Sequence, residues 1–499
     1  MFGRVLIANR GEIAVRIIRA LREMNIQSVA VFSDADRAAL HVRLADEAEH
    51  IGPAASAESY LRQDRILEAA KKHRADAIHP GYGFLSENAE FAAACARAGI
   101  VFIGPSAESI RRLGSKTAAR ILAKQVGAPV VPGSEEPASE LGHAQALARE
   151  IGYPVLLKAA AGGGGKGMRR VDHEADLESA IRDATSEAER AFQNGEIYIE
   201  KFIEKPRHIE IQIAGDHYGN LVHLGERECS IQRRHQKIIE ECPSPWVARH
   251  PELRAAMGEA ALKIARAASY DNLGTVEFLA DDRGHFYFLE VNTRLQVEHP
   301  VTELVTGYDL VQLQLRIAAG EALPFAQKDI AWRGWAMECR IGAEDPEAHF
   351  FPSPGTIVQL REPSGPGVRL DSGVYPGWTV PLEYDPLLAK LITWAPDRST
   401  AIQRMQRALA EYAITGVGNN VAFFGEFLDD AEFRAGNIST GSLADFFARR
   451  RPHVEPPAQL DLAVALAAAA HAQSIKKGPH TPGGADSRWL TEGRGQLLR

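Results

Sequence analysis

The fold of this chain is decided by the stretch LEVNTRLQVEHP, which occupies residues 289–300. It follows an aromatic run, 285–289, that is typical of a buried strand. A second strand-like run, 275–279, contains Glu277, and a turn signal separates the two runs. A β-hairpin would therefore place Glu277 within a residue pair or two of Glu290.

The polar side chains of this stretch form a candidate site for a metal and a small anion. Two carboxylates, Glu277 and Glu290, with the amide oxygen of Asn292 suit a hard divalent cation, and Mg²⁺ typically shares such a site with phosphate oxygens. Arg294 offers a planar fork for a small anion. We expect Glu298 to be a free carboxylate near that anion, as a general base requires. The alternative is a hairpin whose charges face solvent.

Length and composition place the chain among globular proteins and exclude several functions. The 499 residues are enough for about three domains, and 45% hydrophobic with 24% charged residues is ordinary composition. A net charge of −8 argues against general nucleic-acid binding, and no apolar run is long enough to span a membrane. The N-terminus lacks the design of a signal peptide. The scattered cysteines are expected to be buried or half-buried thiols, so we expect a soluble, cytoplasmic protein.

Strands and helices alternate over the first 112 residues. A short apolar strand, 5–8, precedes a helix with Ile13, Ile17 and Leu21 on one face. The alternation predicts a parallel, doubly wound sheet, and the lack of G-x-G-x-x-G after the first strand disfavours a dinucleotide site. Residues 79–84, HPGYGF, form either a ligand-binding loop at the edge of this sheet or a plain turn.

The central part of the chain holds a glycine-rich loop. Residues 155–169 enter through an apolar strand, turn through four consecutive glycines from 162 to 165, and leave through a second strand. Backbone amides of such a loop can approach phosphate oxygens, and Lys158 can reach the same phosphates. The loop lacks the closing Lys-Ser or Lys-Thr of a Walker motif, and a flexible surface hairpin is the alternative.

Two further stretches carry polar residues in the central part. In 207–213, His208, Glu210 and Gln212 share one face of a predicted strand, which could be only the wet face of a sheet. Residues 226–241 have a basic centre flanked by acids. This pattern favours a local anion or nucleotide site over a nucleic-acid stripe, with solvated surface as the alternative.

The chain beyond residue 333 changes character twice. Residues 334–447 alternate short strands with glycine and proline loops, and Glu338 and Arg340 point to the same side of one strand. Residues 449–457 are typical of a linker before an alanine-rich helix over 461–474. The expected class is α/β and α+β with several domains: a doubly wound domain over 1–113, a central domain over 114–333, a mixed strand-rich domain over 334–447, and a linker, helix and loose tail over 448–499.

Five motifs, in order along residues 2–447, resemble those of biotin carboxylase, the ATP-grasp component of biotin-dependent carboxylases, found as a subunit or as a domain. They are IANRGEIA at 7–14, HPGYGFLSEN at 79–88, the glycine loop, QRRHQK at 232–237 and EVNTRLQVEHP at 290–300. The resemblance implies a Rossmann-like N-terminal domain, an ATP-grasp domain with a mobile lid over about 132–203, and a biotin carboxylase C-terminal domain.

The resemblance also implies roles for individual residues. ATP would be bound by Lys116, Lys158, Gly163, Gly164, Gly165, Gly167, Glu200, Lys201, Ile203, His208, Gln232 and His235. Magnesium or manganese would be held by Glu277, Glu290 and Asn292. Bicarbonate would be bound by Lys237, Arg294, Gln296 and the backbone of Val297. The catalytic set would be Glu298 as the base, Arg340 as the group that stabilises the biotin enolate, and Lys237 with Arg294.

The implied reaction is the ATP- and bicarbonate-dependent carboxylation of biotin via carboxyphosphate, the first half-reaction of an acetyl-CoA or acyl-CoA carboxylase. No Met-Lys pair occurs, so biotin is expected on a separate carrier protein or domain, with a separate carboxyltransferase. The family implies a homodimer, with Arg16, Arg19 and Glu23 as candidate contacts, although their spacing alone is typical of a solvated helix face. The alternatives are another ATP-grasp carboxylate ligase and a non-catalytic scaffold subunit, and the final carboxyl acceptor is left open.

Overall fold

The computed structural model describes residues 1–134, 136–138, 141–159, 168–192, 195–234, 236–450 and 459–476. The chain divides into two compact units, Met1–Phe446 and Phe447–Arg499. The predicted nucleotide contacts Gly163, Gly164, Gly165, Gly167 and His235 lie outside the described residues.

The first part of the chain is a parallel sheet with helices between its strands. In chain order the elements are β1 (Arg4–Ile7), α1 (Gly11–Glu23), β2 (Gln27–Ser33), α2 (Leu40–Leu44), β3 (Glu47–Gly52), α3 (Gln63–Lys72), β4 (Ala77–His79), α4 (Ala89–Arg97), β5 (Val101–Phe102) and α5 (Ala107–Gly114). The strand order is β3-β2-β1-β4-β5, and every pairing is parallel. The apolar face predicted for α1 is buried in the core beside β1. The predicted doubly wound sheet is confirmed.

The central part contains the glycine loop's two strands and most of a large sheet. Its elements are α6 (Lys116–Gln125), α7 (Leu141–Ile151), β6 (Val155–Ala159), β7 (Met168–Val171), α8 (Glu174–Phe192), β8 (Ile197–Lys201), β9 (Arg207–Gly215), β10 (Leu221–Arg233), β11 (Gln236–Cys242), α9 (Pro251–Ala267), β12 (Asn272–Ala280), β13 (Phe286–Asn292), α10 (His299–Thr306) and α11 (Leu310–Ala318). Strands β7, β6 and β8 form a small antiparallel sheet. The two strands predicted around the glycine loop are therefore present as β6 and β7.

The last part is rich in short strands. Its elements are β14 (Trp335–Gly342), β15 (Glu344–Asp345), β16 (Phe351–Pro352), β17 (Gly355–Thr356), β18 (Gln359–Arg361), β19 (Val368–Ser372), β20 (Thr379–Val380), β21 (Leu387–Ala395), α12 (Arg398–Glu411), β22 (Ala413–Thr415), α13 (Val421–Phe427), α14 (Ala431–Ala435), α15 (Ser442–Arg449) and α16 (Gln459–Lys476). Short 3₁₀ helices occur at Asp34–Asp36, Ser56–Glu58, Val247–Arg249 and Gln327–Asp329.

An antiparallel sheet of eight strands joins the central and the last parts. Its order is β13-β12-β9-β10-β11-β14-β21-β19. The hairpin predicted from the opening stretch is β12 and β13, and Glu277 pairs directly with Glu290 across it. Because β11 and β14 are neighbours in the same sheet, Lys237 and Arg340 lie on strands adjacent to each other. This one sheet therefore carries the candidate metal residues, Lys237 of the anion residues and Arg340, while Arg294, Gln296 and Val297 follow directly after β13.

The polar rows of β9 and of β10 up to Ser230 are buried, so the solvent-facing alternative is wrong there, whereas Arg234 in the basic centre of 226–241 is exposed. His208 is 7% exposed, Glu210 and Gln212 are 0% exposed, and Arg227 is 0% exposed. The isoleucines on the opposite face of β9 pack into the core with α9. The polar side is covered by α10, where Thr302 accepts a hydrogen bond from Arg227 at 3.0 Å. The polar residues of this side therefore face α10 and a cavity, and not the open surface of the molecule.

The solvated face predicted for Arg16, Arg19 and Glu23 is wrong at its first member. Arg16 is 6% exposed, and its guanidinium lies 3.0 Å from Glu303 and 2.7 Å from Asp309. These acids belong to α10 and the start of α11, which pack over this side of α1 and could not be foreseen from helical spacing. Arg19 and Glu23 are exposed.

The remaining composition-based expectations concern cysteines and membranes. All four cysteines are free and buried, which confirms the prediction of isolated thiols. Within the described ranges, helices are too short or too polar to cross a membrane.

We predict that His79 makes the N-terminal sheet sensitive to acid. Burial, with Arg16 nearby, lowers the pKa of His79 to about 3, and its Nδ1 accepts a hydrogen bond from the Gly81 amide at 3.0 Å. A depressed pKa contributes stability that is present above pH 6.5 and is lost as the pH falls toward 3, at ~1.4 kcal/mol per pH unit. His79→Asn keeps an acceptor for Gly81 and removes the titration. Its melting temperature should therefore fall less between pH 7 and pH 5 than that of the unchanged chain.

The control for this experiment is His143→Asn, because His143 is exposed on α7. It should follow the unchanged chain at both pH values. An equal loss of melting temperature in His79→Asn and the unchanged chain would contradict the prediction.

Candidate active site

A cavity of about 1180 Å³ opens between the parallel sheet and the eight-stranded sheet. The predicted site residues that line it are Lys116, Lys158, His208, Gln232, Lys237, Glu277, Glu290, Asn292, Arg294, Gln296, Val297 and Arg340. The N-terminal motif contributes Asn9 and Arg10, and the HPGYGF loop contributes Tyr82, Gly83 and Phe84. The loop that the sequence left open between a plain turn and a ligand loop therefore forms part of the cavity wall.

The Lys237 ammonium is the centre of a buried ionic cluster. Its Nζ lies 2.5 Å from Glu210, 2.8 Å from Glu277 and 2.8 Å from Glu298. Burial alone would lower the pKa of Lys237, but the three carboxylates outweigh burial and hold the pKa well above its ordinary value. Lys237 is therefore a permanent cation beside the cavity.

Glu298 is a paired carboxylate, which corrects the expectation that it is free. It is 0% exposed, and its two oxygens lie 2.8 Å from Lys237 Nζ and 2.9 Å from Arg340 Nη2. Burial raises the pKa of a carboxyl group, but Lys237, Arg340 and Arg227 outweigh it and hold the pKa of Glu298 well below the ordinary range. A buried carboxylate needs such partners to remain ionised.

Three buried carboxylates of different acidity are associated with Arg340: it contacts Glu240 and Glu298, and Glu338 lies on the same strand. Its Nε donates to Glu240 at 2.6 Å, and its Nη2 reaches Glu298. Burial raises the pKa of Glu240 to about 7, and Arg340 opposes that rise. Burial also raises the pKa of Glu338 well above its ordinary value, and neither of its buried oxygens has a hydrogen-bond partner among the described residues. Glu298 is therefore the strongly ionised member of the three.

The candidate metal residues line the same cavity, and lysines neutralise the two carboxylates. Glu290 is 26% exposed and lies 2.6 Å from Lys116 Nζ. Glu277 Oε1 lies 2.8 Å from Lys237 Nζ and accepts a hydrogen bond from Asn292 Nδ2, also at 2.8 Å. Two carboxylates facing one cavity fit a hard divalent cation. Asn292 directs its amide nitrogen, not its oxygen, at Glu277, so its oxygen becomes a metal ligand only after the amide turns over.

The guanidinium of Arg294 is held in place by hydrogen bonds to neighbouring side chains. Its Nη1 donates to Gln296 Oε1 at 2.9 Å and its Nη2 donates to Asn292 Oδ1 at 3.0 Å. Gln296 also approaches Glu277 at 3.3 Å. These bonds join the predicted metal residues and the predicted anion residues into one network.

The predicted nucleotide residues divide into two groups. His208 and Gln232 line the cavity and contact each other, with His208 Nε2 2.9 Å from Glu277. Lys158 forms an ion pair with Glu200, on the neighbouring strand. The side chain of Lys201 turns away and donates to the backbone carbonyl of Gly152 at 2.8 Å. Lys201 and the half-buried Ile203 are outside the described cavity lining.

Three contributors to this network were not identified from the sequence as site residues. Glu210 and the fully buried Arg227 form an ion pair of 2.5 Å beneath Lys237. Glu87 contacts Arg294 at 2.9 Å from the N-terminal part of the chain. The alternation in β9 was a usable signal for Glu210. His208 and Gln212, two residues away on either side, lie on the same face of the strand, and a polar face of this kind can line a buried site. No local pattern connects Glu87 with Arg294, which is 207 residues away.

Profiles of known families match nearly the whole first unit. The biotin carboxylase N-terminal domain matches residues 1–110, and the biotin carboxylase C-terminal domain matches residues 338–445. The ATP-binding domain of the carbamoyl-phosphate synthase L chain matches residues 115–326.

Individual relatives agree with the profiles. The biotin carboxylase of Nostoc sp. is 54% identical over 439 residues, which cover 88% of this chain and 98% of the relative. Biotin carboxylase 1 of Bacillus subtilis is 52% identical over 447 residues, which cover 89% of this chain and 99% of the relative.

A solved structure supports the same conclusion. The biotin carboxylase domain dimer of Hydrogenobacter thermophilus 2-oxoglutarate carboxylase, in complex with MgADP, ADP and bicarbonate, is 47% identical with a TM-score of 0.82. The match covers 89% of this chain and 98% of that chain. With the buried charge cluster in place beside the cavity, these matches show that the chain belongs to the biotin carboxylase family, the ATP-grasp enzymes that carboxylate biotin with ATP, Mg²⁺ and bicarbonate.

Proposed function

We propose that Lys237, Glu298, Arg294 and Arg340 carry out the carboxylation of biotin in this cavity. The observation that supports the proposal most directly is the position of Glu298 between the two cations Lys237 and Arg340. One cation faces the predicted bicarbonate residues, and the other lies on the strand predicted to meet biotin. The Glu298 carboxylate therefore lies between the residues proposed to bind bicarbonate and the residue proposed to meet biotin.

The nucleotide end of the cavity would bind ATP through Lys116, Lys158 and the predicted adenine residues. Glu277 and Glu290 would hold Mg²⁺, which neutralises phosphate charge during phosphoryl transfer. Since Lys116 already neutralises Glu290, arrival of the metal would release the lysine toward phosphate oxygens.

Bicarbonate would bind to Lys237, Arg294, Gln296 and the Val297 backbone, next to Glu298. The low pKa of Glu298 keeps it ionised but makes it a weak base. A bicarbonate that accepts a hydrogen bond from the Lys237 ammonium competes with Glu298 for that contact. Loss of that ion pair raises the basicity of Glu298 when bicarbonate is present.

The proposed sequence of bonds follows from these positions. Glu298 removes the bicarbonate proton, and the bicarbonate oxygen attacks the γ-phosphorus, which gives carboxyphosphate and ADP. Carboxyphosphate then breaks into CO₂ and phosphate. The phosphate takes the proton from the ureido nitrogen of biotin, Arg340 stabilises the enolate charge, and the nitrogen attacks CO₂ to give carboxybiotin.

Members of this family work with a biotin carrier and a carboxyltransferase. We propose that biotin reaches this chain on a separate carrier and that the chain forms a homodimer, as in the Hydrogenobacter thermophilus domain. The final acceptor differs within the family, as the name 2-oxoglutarate carboxylase illustrates. The acceptor of this chain stays open between acetyl-CoA, another acyl-CoA and pyruvate, and the cytoplasmic location stays a prediction.

We predict ATP cleavage that requires bicarbonate and is stimulated by free biotin. Glu298→Gln should lower the rate by about 10²–10⁴-fold, because it removes the general base. ATP affinity, measured by calorimetry, should change little. Glu321→Gln is the matched control, since Glu321 is 45% exposed in a surface pair with Arg316.

Two results would contradict this assignment. Turnover of Glu298→Gln at the rate of the control would remove Glu298 as the base. ATP cleavage that is indifferent to bicarbonate would refute the reaction and favour an ATP-grasp ligase for another carboxylate.

We predict that Glu290→Gln raises the Mg²⁺ concentration needed for half-maximal rate by about 10- to 100-fold. The physical reason is the loss of one of the two carboxylates proposed to hold Mg²⁺. Because Glu290 is partly exposed, the melting temperature should stay close to that of Glu321→Gln. An unchanged Mg²⁺ requirement would exclude Glu290 as a metal ligand.

A further inference from the structure

Apart from Lys237 on β11, the residues proposed to bind bicarbonate lie on a segment without regular secondary structure. Residues 293–298 connect β13 to α10 and contain Arg294, Gln296 and Glu298. A loop has many conformations in which the Arg294 fork would point elsewhere. Something outside the segment must therefore hold its side chains in place.

The far end of the segment is fixed by the sheet. The Nζ of Lys390, on β21, is buried and donates to the Val297 carbonyl at 2.8 Å. The segment then enters α10 at His299. The near end, at Thr293 and Arg294, is held by another part of the chain.

Glu87 holds that near end with both of its carboxylate oxygens. Oε1 accepts the Thr293 amide at 2.9 Å, and Oε2 accepts Arg294 Nε at 2.9 Å. With Nε occupied in this way, the Nη1 and Nη2 atoms point at Gln296 and Asn292. One carboxylate therefore sets both the backbone and the rotation of the guanidinium.

Glu87 is itself rigidly placed by the N-terminal motifs. It lies between Ser86, whose amide donates to Gly83, and Asn88, the N-cap of α4, whose side chain accepts the Phe91 amide. Asn9 fixes the preceding loop by donating to the carbonyls of Pro80 and Tyr82, both at 2.7 Å. The sequence IANRGEIA thus anchors the loop that carries Glu87, although it is far from the anion residues along the chain.

We propose that Glu87 is a positioning residue for bicarbonate binding, acting through Arg294 without touching the anion. The proposal rests on the proposed role of Arg294. Through Glu87, the HPGYGFLSEN motif connects the parallel sheet to the residues proposed to bind bicarbonate. In this arrangement the N-terminal part determines how well the central part binds bicarbonate.

The test compares Glu87→Gln with Glu90→Gln. Glu90 lies three residues further along, on α4, and pairs with Arg111 at 2.8 Å with 68% of its side chain exposed, so it is a matched glutamate–arginine pair away from the cavity. Glu87→Gln should raise the KM for bicarbonate by about 3- to 30-fold, because a charge-assisted bond to the guanidinium is lost. The KM for ATP and the melting temperature should match those of Glu90→Gln. A KM for bicarbonate equal to that of Glu90→Gln would overturn the proposal, and so would a loss confined to stability.

A double-mutant cycle with Arg294→Ala separates this inference from the proposed function. If Glu87 acts through Arg294, adding Glu87→Gln to Arg294→Ala should change the KM for bicarbonate by less than about twofold. Full additivity would show that Glu87 acts by another route and would overturn the inference alone. An unchanged KM in Arg294→Ala itself would overturn the proposed role of Arg294, and with it this inference.

Discussion

The structure of the active site depends on one buried ammonium group and the carboxylates that surround it. Lys237 contacts Glu210, Glu277 and Glu298, each from a different part of the chain. A buried charge without partners costs several kcal/mol, so these contacts are a condition of folding as well as of catalysis. Removing one carboxylate would leave the cations of the cluster in excess.

This constraint explains why the eight-stranded sheet has a polar interior face. Cations of the cluster (Arg227, Lys237 and Arg340) are matched by the paired glutamates 210, 277 and 298. Such a face is stable only when it is complete, because every buried charge depends on its neighbours. The sheet continues from the central strands into β14, and Arg340 on β14 supplies the last of these cations. A break between the two regions would separate Glu298 from one of its two partners.

The sequence predicted local structure well and distant pairing poorly, for one physical reason. Alternation and turn signals are local, so the pairing of Glu277 with Glu290 was foreseen and is confirmed by the register. The family resemblance then supplied residues of the cavity that spacing alone does not connect. Neither source predicted that Arg16 is buried or that Glu298 is paired. Those properties arise from elements that pack over a residue from elsewhere in the chain, such as α10 over α1 and β11 beside Glu298.

The differing acidities around Arg340 bear on how the site receives an anion. Burial raises the pKa of Glu240 to about 7 and that of Glu338 well above the ordinary range, whereas Lys237 and Arg340 hold the pKa of Glu298 low. In the proposed mechanism bicarbonate adds a negative charge beside Lys237, and Glu240, which pairs with Arg340, is a buried acid able to take up a proton near neutral pH. Since the ion pairs of Lys237 are made by other glutamates, protonation of Glu240 would leave Arg340 paired mainly with Glu298. The same ordering keeps Glu298 ionised, and the base proposed for this reaction has to be ionised before bicarbonate arrives.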